Sequence, residues 1–336
     1  MTGATLKDVA RQAGVSIASA SRAINGLGNV AEGVRRRVLE AARSLRYVPH
    51  GGARSLVMSR TSTVGVLLPD VYGEFFAEII RGMDVAARAH GLHLLVAGAH
   101  ANLDEAAAIL RAWGGRVDGL LVMSPFVDSE NLSDILPFDL PLVTIASRVG
   151  RVEQGSISVD NFGGGVTATK HLIGLKRARI AHISGPAGNF EARERQRGFD
   201  AAMREAGLAP AAYYEGDFTE ESGYCGTRAL LAQARPDAIF VANDMMALGC
   251  LLALSEAGVK APDDVAVVGF DDIPISRFTA PPLTTLRVGI FDLGRRGLEM
   301  LAQALTAPPE PGADRPPAGV VVAPELVVRE SSRHQP

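Results

Sequence analysis

Apolar residues at the start of the chain fall three and four positions apart. Leu6, Val9, Ala10 and Ala13 share one helical face, with Thr5 placed to cap the helix and Gly14 to end it. Ser16 can cap a second helix over about 17–24. A third, about 32–46, brings Val34, Val38, Leu39, Ala42 and Leu45 against both. From about residue 62 the pattern changes to short apolar runs. Val64–Leu68, Leu94–Ala97, Gly119–Met123, Leu142–Ala146, Ile180–Ser184, Ala238–Ala242 and Val265–Phe270 read as buried strands. Amphipathic segments at 75–90, 103–113, 191–206, 219–233 and 244–257 separate most of them. Strand–helix alternation predicts parallel, doubly wound sheets with right-handed crossovers. The units are too many for one sheet, and Ser158-Val159-Asp160 restarts the series, so two similar lobes with a cleft between them are expected. Residues 307–317, rich in proline, read as a surface loop before a final short strand pair. The predicted fold class is therefore α plus α/β, a helical head and a two-lobed doubly wound body. The expected division is 1–49, a linker at 50–61, and 62–336.

Charge sharpens this division. Of 336 residues, the first 60 carry ten Lys/Arg against three acids, or +7; the rest carry 24 against 34, or −10. A basic head on an acidic body points to a polyanion partner for the head alone. No apolar run is long enough for a membrane span, and the N-terminus lacks a secretory pattern. Cys225 and Cys250 are too few for a disulfide scaffold or a metal cage, and read as small apolar fillers. A cytoplasmic protein without membrane partner or cofactor is expected.

Two short helices joined by a glycine turn form the helix-turn-helix plan. The second would expose Ile17, Ala18, Ser21 and Arg22. Arg can grip guanine with two hydrogen bonds, Ile and Ala can touch a thymine methyl, and Ser or Thr hydroxyls, such as those of Thr5 and Ser16, suit phosphates. The segments Thr5-Leu6-Lys7-Asp8-Val9-Ala10, Ala13-Gly14-Val15-Ser16, Ser21-Arg22, Asn25-Gly26, Tyr47-Val48-Pro49 and Ala53-Arg54-Ser55-Leu56 together resemble the headpiece of the lactose/galactose repressor family. Landmarks such as Val117-Asp118-Gly119-Leu120, Ala242-Asn243-Asp244, Val267-Val268-Gly269-Phe270-Asp271 and Pro281-Pro282-Leu283-Thr284-Thr285 extend the resemblance over nearly the whole chain. It implies a sequence-specific transcriptional repressor, a homodimer on a pseudo-palindromic double-stranded operator, with a body like periplasmic sugar-binding proteins. It implies base contacts by Ile17, Ala18 and Arg22, further DNA contacts by Asn25 and Arg54, and a hinge helix at about 50–57 whose Leu56 enters the minor groove. The chain departs from the pattern at Ala20, at Ala31 where a Ser cap is usual, and at His50-Gly51-Gly52.

In open α/β sheets, ligands bind beyond the carboxyl ends of strands. Asp70, Tyr72, Ser147, Arg148, Asn243 and Asp271 follow strands, Asp160 opens the second lobe, and Arg193 and Arg195 begin a helix. With Phe75 and Phe218 able to pack on a ring, these are the expected effector residues. Their polarity favours a sugar or sugar derivative as effector. A purine is the alternative, since Tyr72, Phe75 and Phe218 can stack on a base. Asp272 reads as a helix-capping carboxylate and Trp113 as packing. Two rival functions are set aside. Gly163-Gly164-Gly165-Val166-Thr167-Ala168 fits a dinucleotide-binding pattern, but the acid expected about 20 residues on is absent, and glycines for helix packing explain it. The seven histidines show no metal spacing, no G-x-S-x-G elbow occurs, and an exported binding protein would need a signal peptide where this chain has a basic head.

Overall fold

The computed structural model describes residues 4–26, 30–47, 60–100, 102–126, 134–137, 140–147, 155–306 and 318–333. Contacts divide the chain into two units, Met1–Thr61 and Ser62–Pro336. The first is built from α1 (Leu6–Ala13), α2 (Ile17–Ile24) and α3 (Glu32–Ser44) around fully buried Val9, Ala20 and Val38. Thr5 caps α1, and Asp8 reaches back to the Thr5 amide at 3.0 Å, completing a reciprocal cap. Gly14 takes φ +64°, the left-handed conformation that lets the chain turn directly into α2. Ser16 caps α2, whereas Ala31 gives α3 no side-chain cap. Ala20 is fully buried in this core.

The second unit has two lobes. The first holds a six-stranded parallel sheet of β1 (Thr63–Leu68), β2 (His93–Gly98), β3 (Gly119–Val122), β4 (Leu142–Ile145), β5 (Gly155–Val159) and β11 (Ala318–Val322), in the order β11-β5-β4-β3-β1-β2. Its helices are α4 (Glu74–Ala89), α5 (Leu103–Trp113) and α10 (Ile290–Thr306). The second lobe holds β7-β6-β8-β9, made of β6 (Ile180–Ser184), β7 (Tyr213–Glu215), β8 (Ala238–Val241) and β9 (Ala266–Val268), with α6 (Asn161–Gly174), α7 (Phe190–Glu205), α8 (Glu220–Gln233) and α9 (Asp244–Glu256). Short β10 (Thr285–Arg287) and β12 (Glu325–Val327) pair antiparallel. The chain thus passes between lobes near 160, 289 and 323.

Two expectations need correcting. The restart at Ser158-Val159-Asp160 straddles the lobes: Ser158 and Val159 still belong to β5, which pairs with β4 in the first sheet, while Asp160 opens the second lobe as expected, capping α6. The final strands do not pair with each other: β11 lies parallel to β5 and β12 antiparallel to β10, since the third passage separates them. Cys250 is buried as expected, but Cys225 lies exposed on α8. Trp113 packs in the first lobe's core.

Glycines set the spacing of three helix pairs. A Cβ at Gly82 would overlap the Phe291 carbonyl, and one at Gly294 the Ile79 carbonyl, so α4 and α10 touch backbone to backbone. Gly165 and Gly198 do the same for α6 and α7, Gly223 and Gly249 for α8 and α9. Gly163-Gly164-Gly165 therefore has a packing role: Gly164 faces the Phe270 ring and Gly165 the Arg195 backbone. Among the described residues no helix is long and apolar enough to cross a membrane.

Candidate ligand cleft and nucleic-acid interface

A cavity of about 290 Å³ opens between the two lobes. The loop after β1 and the start of α4 supply Asp70, Tyr72, Phe75 and Phe76, and the segment after β3 supplies Met123 and Phe126. The second lobe supplies Asn189 and Glu191 at the start of α7, Arg195 one turn later, Phe218 before α8, Asn243 after β8, and Asp271 after β9. Strand ends deliver most of these groups to one place, which is why both sheets open onto the cavity. Contacts across the cleft accompany it. The Tyr72 hydroxyl donates to Glu220 at 3.2 Å, the Ile275 amide to Glu74 at 2.9 Å, and the Phe190 amide to the Pro125 carbonyl at 3.1 Å.

Most polar groups at the cavity are already engaged. The Asn243 carbonyl accepts from Met246 N while its amide donates to Phe218 O; Asn189 caps α7; Asp70 accepts from the Val71 and Tyr72 amides. Arg195 sits over the Phe270 ring, its Cζ 3.9 Å from the centroid, and donates from Nε to Asn161 at 2.8 Å and from Nη1 to the Ala242 carbonyl at 2.6 Å. Its Nη2 stands 3.6 Å from Asp271 Oδ1, near enough for charge attraction but too far for a hydrogen bond, and that oxygen is buried without a partner. Asp271 adopts φ +113°, a strained conformation for a side-chain-bearing residue, held by its amide bonding to Leu286 O at 2.8 Å. Burial pushes its carboxyl well above the usual range, against the pull of Arg195. Burial likewise raises Glu191, whose Oε1 accepts from Asn161 Nδ2 at 3.0 Å.

Several expected effector residues stand elsewhere. Asp160 is exposed and caps α6 through the Gly163 amide at 2.8 Å. Arg193 points outward to the Ala187 carbonyl. Ser147 ties two loops, accepting from Ser124 N at 2.6 Å and donating to Ile145 O at 3.0 Å. All three satisfied the strand-end or helix-start rule, but local backbone groups took their side chains. Arg148, Arg54 and Leu56 lie outside the described residues, as does the hinge helix expected at about 50–57. Asp272 caps no helix; it is gripped by Arg287 at 2.7 Å and Arg329 at 2.5 Å. Asn189 and Glu191 escaped sequence reading because an Asn cap and an acid in a first turn have ordinary helical reasons.

A further buried acid, Asp244, sits behind the cleft. It accepts from Ser276 Oγ and Thr285 Oγ1, both at 2.6 Å, and from Ile273 N at 3.1 Å. Burial nevertheless outweighs these bonds and raises its carboxyl to about 7. A folded-state value above the unfolded one means that stability from this group is full below pH 4 and is lost as pH rises to about 7. His182, held near 4 by burial, acts in the opposite direction, so a variant must isolate Asp244. Asp244→Asn should be less stable than wild type at pH 5, with the gap shrinking by a few kcal/mol by pH 8. Denaturant titrations at both pH values check this; a gap that stays constant or widens would show the carboxyl is charged throughout.

Comparison with known proteins now bears on the whole arrangement. The description "Bacterial regulatory proteins, lacI family" matches residues 5–50, and "Periplasmic binding protein-like domain" matches 169–332. The HTH-type transcriptional repressor PurR of Haemophilus influenzae (strain PittEE) is 36% identical over 98% of this chain and 98% of its own. The chain belongs to the lacI family of bacterial regulatory proteins. The PurR repressor of Histophilus somni (strain 129Pt) is similar at 37% identity, with 98% of both chains covered. Among solved structures, the Lac repressor dimer bound to operator and the anti-inducer ONPF superposes with TM-score 0.85 at 27% identity, covering 98% of this chain and 99% of that one. The complex of the regulator CelR with cellobiose gives 0.71 at 32% identity, covering 98% and 100%.

As a lacI-family protein, the chain is a DNA-binding transcriptional repressor with a helix-turn-helix head and a periplasmic-binding-protein-like body. Its α2 exposes Ile17 (47%), Ala18 and Arg22 on one side. Ser21 and Asn25 are half-buried and bonded to each other at 3.3 Å, while the Thr5 and Ser16 side chains serve caps. The exposed face of α2 is therefore narrow: two apolar side chains beside one guanidinium.

Proposed function

We propose that the repressor is a homodimer whose operator binding is set by a purine-like effector held between the lobes, bound and released unchanged. The observation that carries this is the cavity wall. Tyr72, Phe75, Phe76 and Phe126 from one lobe and Phe218 from the other offer flat apolar surfaces, while most polar side chains are committed to the protein. A planar heterocycle fills such walls and asks for few polar partners; a sugar presents hydroxyls all round and asks for many. The relatives matching over the full chain carry the name PurR, which sides with the purine over the sugar expected from residue polarity. A sugar is the second reading, favoured by the cellobiose complex of CelR. Both lobes line the cavity, so a ligand touching both favours one lobe angle, and it shifts the DNA-competent population only by its differential affinity. A thermal-shift screen of nucleobases and sugars on the full chain decides between the two. Stabilisation by sugars alone would overturn the purine reading.

At the DNA, Ile17, Ala18 and Arg22 read base edges of each half-site in the cytoplasm, with Thr5, Ser16, Ser21 and Asn25 supporting backbone contacts. Arg22→Ala should weaken specific binding by roughly 1–3 kcal/mol and relax one base preference. Competition binding against single-base operator variants checks it. An equal loss on random DNA would reduce Arg22 to a phosphate contact.

A further inference from the structure

The inner end of the cavity carries two buried acids, Glu191 and Asp271, and, among the described residues, one cation, Arg195. Arg195 attracts both acids by charge but donates a hydrogen bond to neither. Its Nε and Nη1 are spent on Asn161 and Ala242, and it stands 3.6 Å from Asp271. Asp271 Oδ1 is buried with no hydrogen-bond partner, and the Glu191 carboxylate receives one donor from Asn161 where it has room for about four. Buried acceptors left short of donors are costly, and a ligand that supplies the donors recovers that cost on binding. An acceptor-only ligand edge placed there leaves the shortage of donors in place.

We infer that Glu191, with Asp271 behind it, selects effectors by a donor-rich edge: two adjacent N–H groups, or an amino group, directed at the Glu191 carboxylate. This rests on the reading of the cavity as the effector site. A purine bearing an amino group beside a ring N–H meets a carboxylate with two parallel bonds. A carbonyl in place of that amino group presents acceptor to acceptor. Glu191 is then a specificity-determining residue, in a position where a neutral residue would leave the walls to recognise ring shape alone.

The test is calorimetric titration of the full-length protein, wild type and Glu191→Gln, with guanine, hypoxanthine and xanthine, and in parallel with glucosamine and glucose. Gln keeps the length of the side chain and can still accept from Asn161. Wild type should bind guanine at least about 10-fold more tightly than xanthine, with hypoxanthine between, and the variant should lose most of that ratio. Purines bound without preference, or a preference that survives in Glu191→Gln, overturn the inference while leaving the purine reading intact. No purine binding at all overturns the purine reading instead. The sugar pair then decides: glucosamine preferred by wild type but not by the variant supports the donor-edge selection, and equal binding or no binding of either sugar overturns it.

Discussion

Replacing Arg195 by Ala is expected to lower stability by roughly 3–5 kcal/mol at pH 8 and to abolish the effector response. The guanidinium is the cation beside Glu191 and Asp271, and it covers the Phe270 ring at 3.9 Å. Removing it strands two buried acids, which respond by taking up protons, so their folded-state values rise further above the unfolded ones. Stability contributed in that way is present at low pH and lost as pH rises through the folded values. The variant should therefore come closest to wild type near pH 5 and fall furthest behind near pH 8. Denaturant melts at the two pH values, with operator binding measured with and without effector, give the answer. An equal loss at both would mean that packing on Phe270, not charge, is what Arg195 supplies. A variant that still responds at normal effector concentration would remove Arg195 from the site.

The second large effect is steric. Gly82→Ala should cost at least the upper end of the roughly 1–3 kcal/mol usual for overpacking, lowering Tm by roughly 6–12 °C, because the Phe291 backbone cannot swing aside as a side chain would. Gly174→Ala is the control: an added Cβ there meets nothing within 4 Å, and near-neutral stability is expected. Equal Tm values for the two variants would show that α4 and α10 are not in backbone contact.

Much of this architecture was legible in the residues, and the misses have physical causes. Alternation of apolar strands and amphipathic helices located β1 to β4, β6, β8 and β9, because buried parallel strands need continuous apolar runs. β5 was not among the predicted strands because Ser156 and Ser158 interrupt its apolar run, and its pairing with β4 leaves no local mark. In the cleft, Asp70, Tyr72, Phe75, Arg195, Phe218, Asn243 and Asp271 line the cavity as strand-end logic suggests. Asp160, Arg193 and Ser147 obey the same logic but spend their side chains on nearby backbone. What cannot be read from a linear pattern is whether a polar side chain is already satisfied, since that depends on the amide or carbonyl folding places beside it.

The short stretch from 318 to 333 has a consequence for how the protein is made. β11 closes an edge of the first sheet, β12 pairs beside the second lobe, and Ser331 exchanges bonds with Pro282, Thr284 and Val267. On a ribosome these residues emerge after every segment they bind. Neither lobe can complete its hydrogen bonding until residues 318–333 have emerged, whereas the three head helices, with contacts spanning about forty residues, can fold as soon as they are clear. A nascent repressor therefore carries a finished DNA-reading head on an unfinished body, and emergence of residues 318–333 is the step that makes both lobes whole.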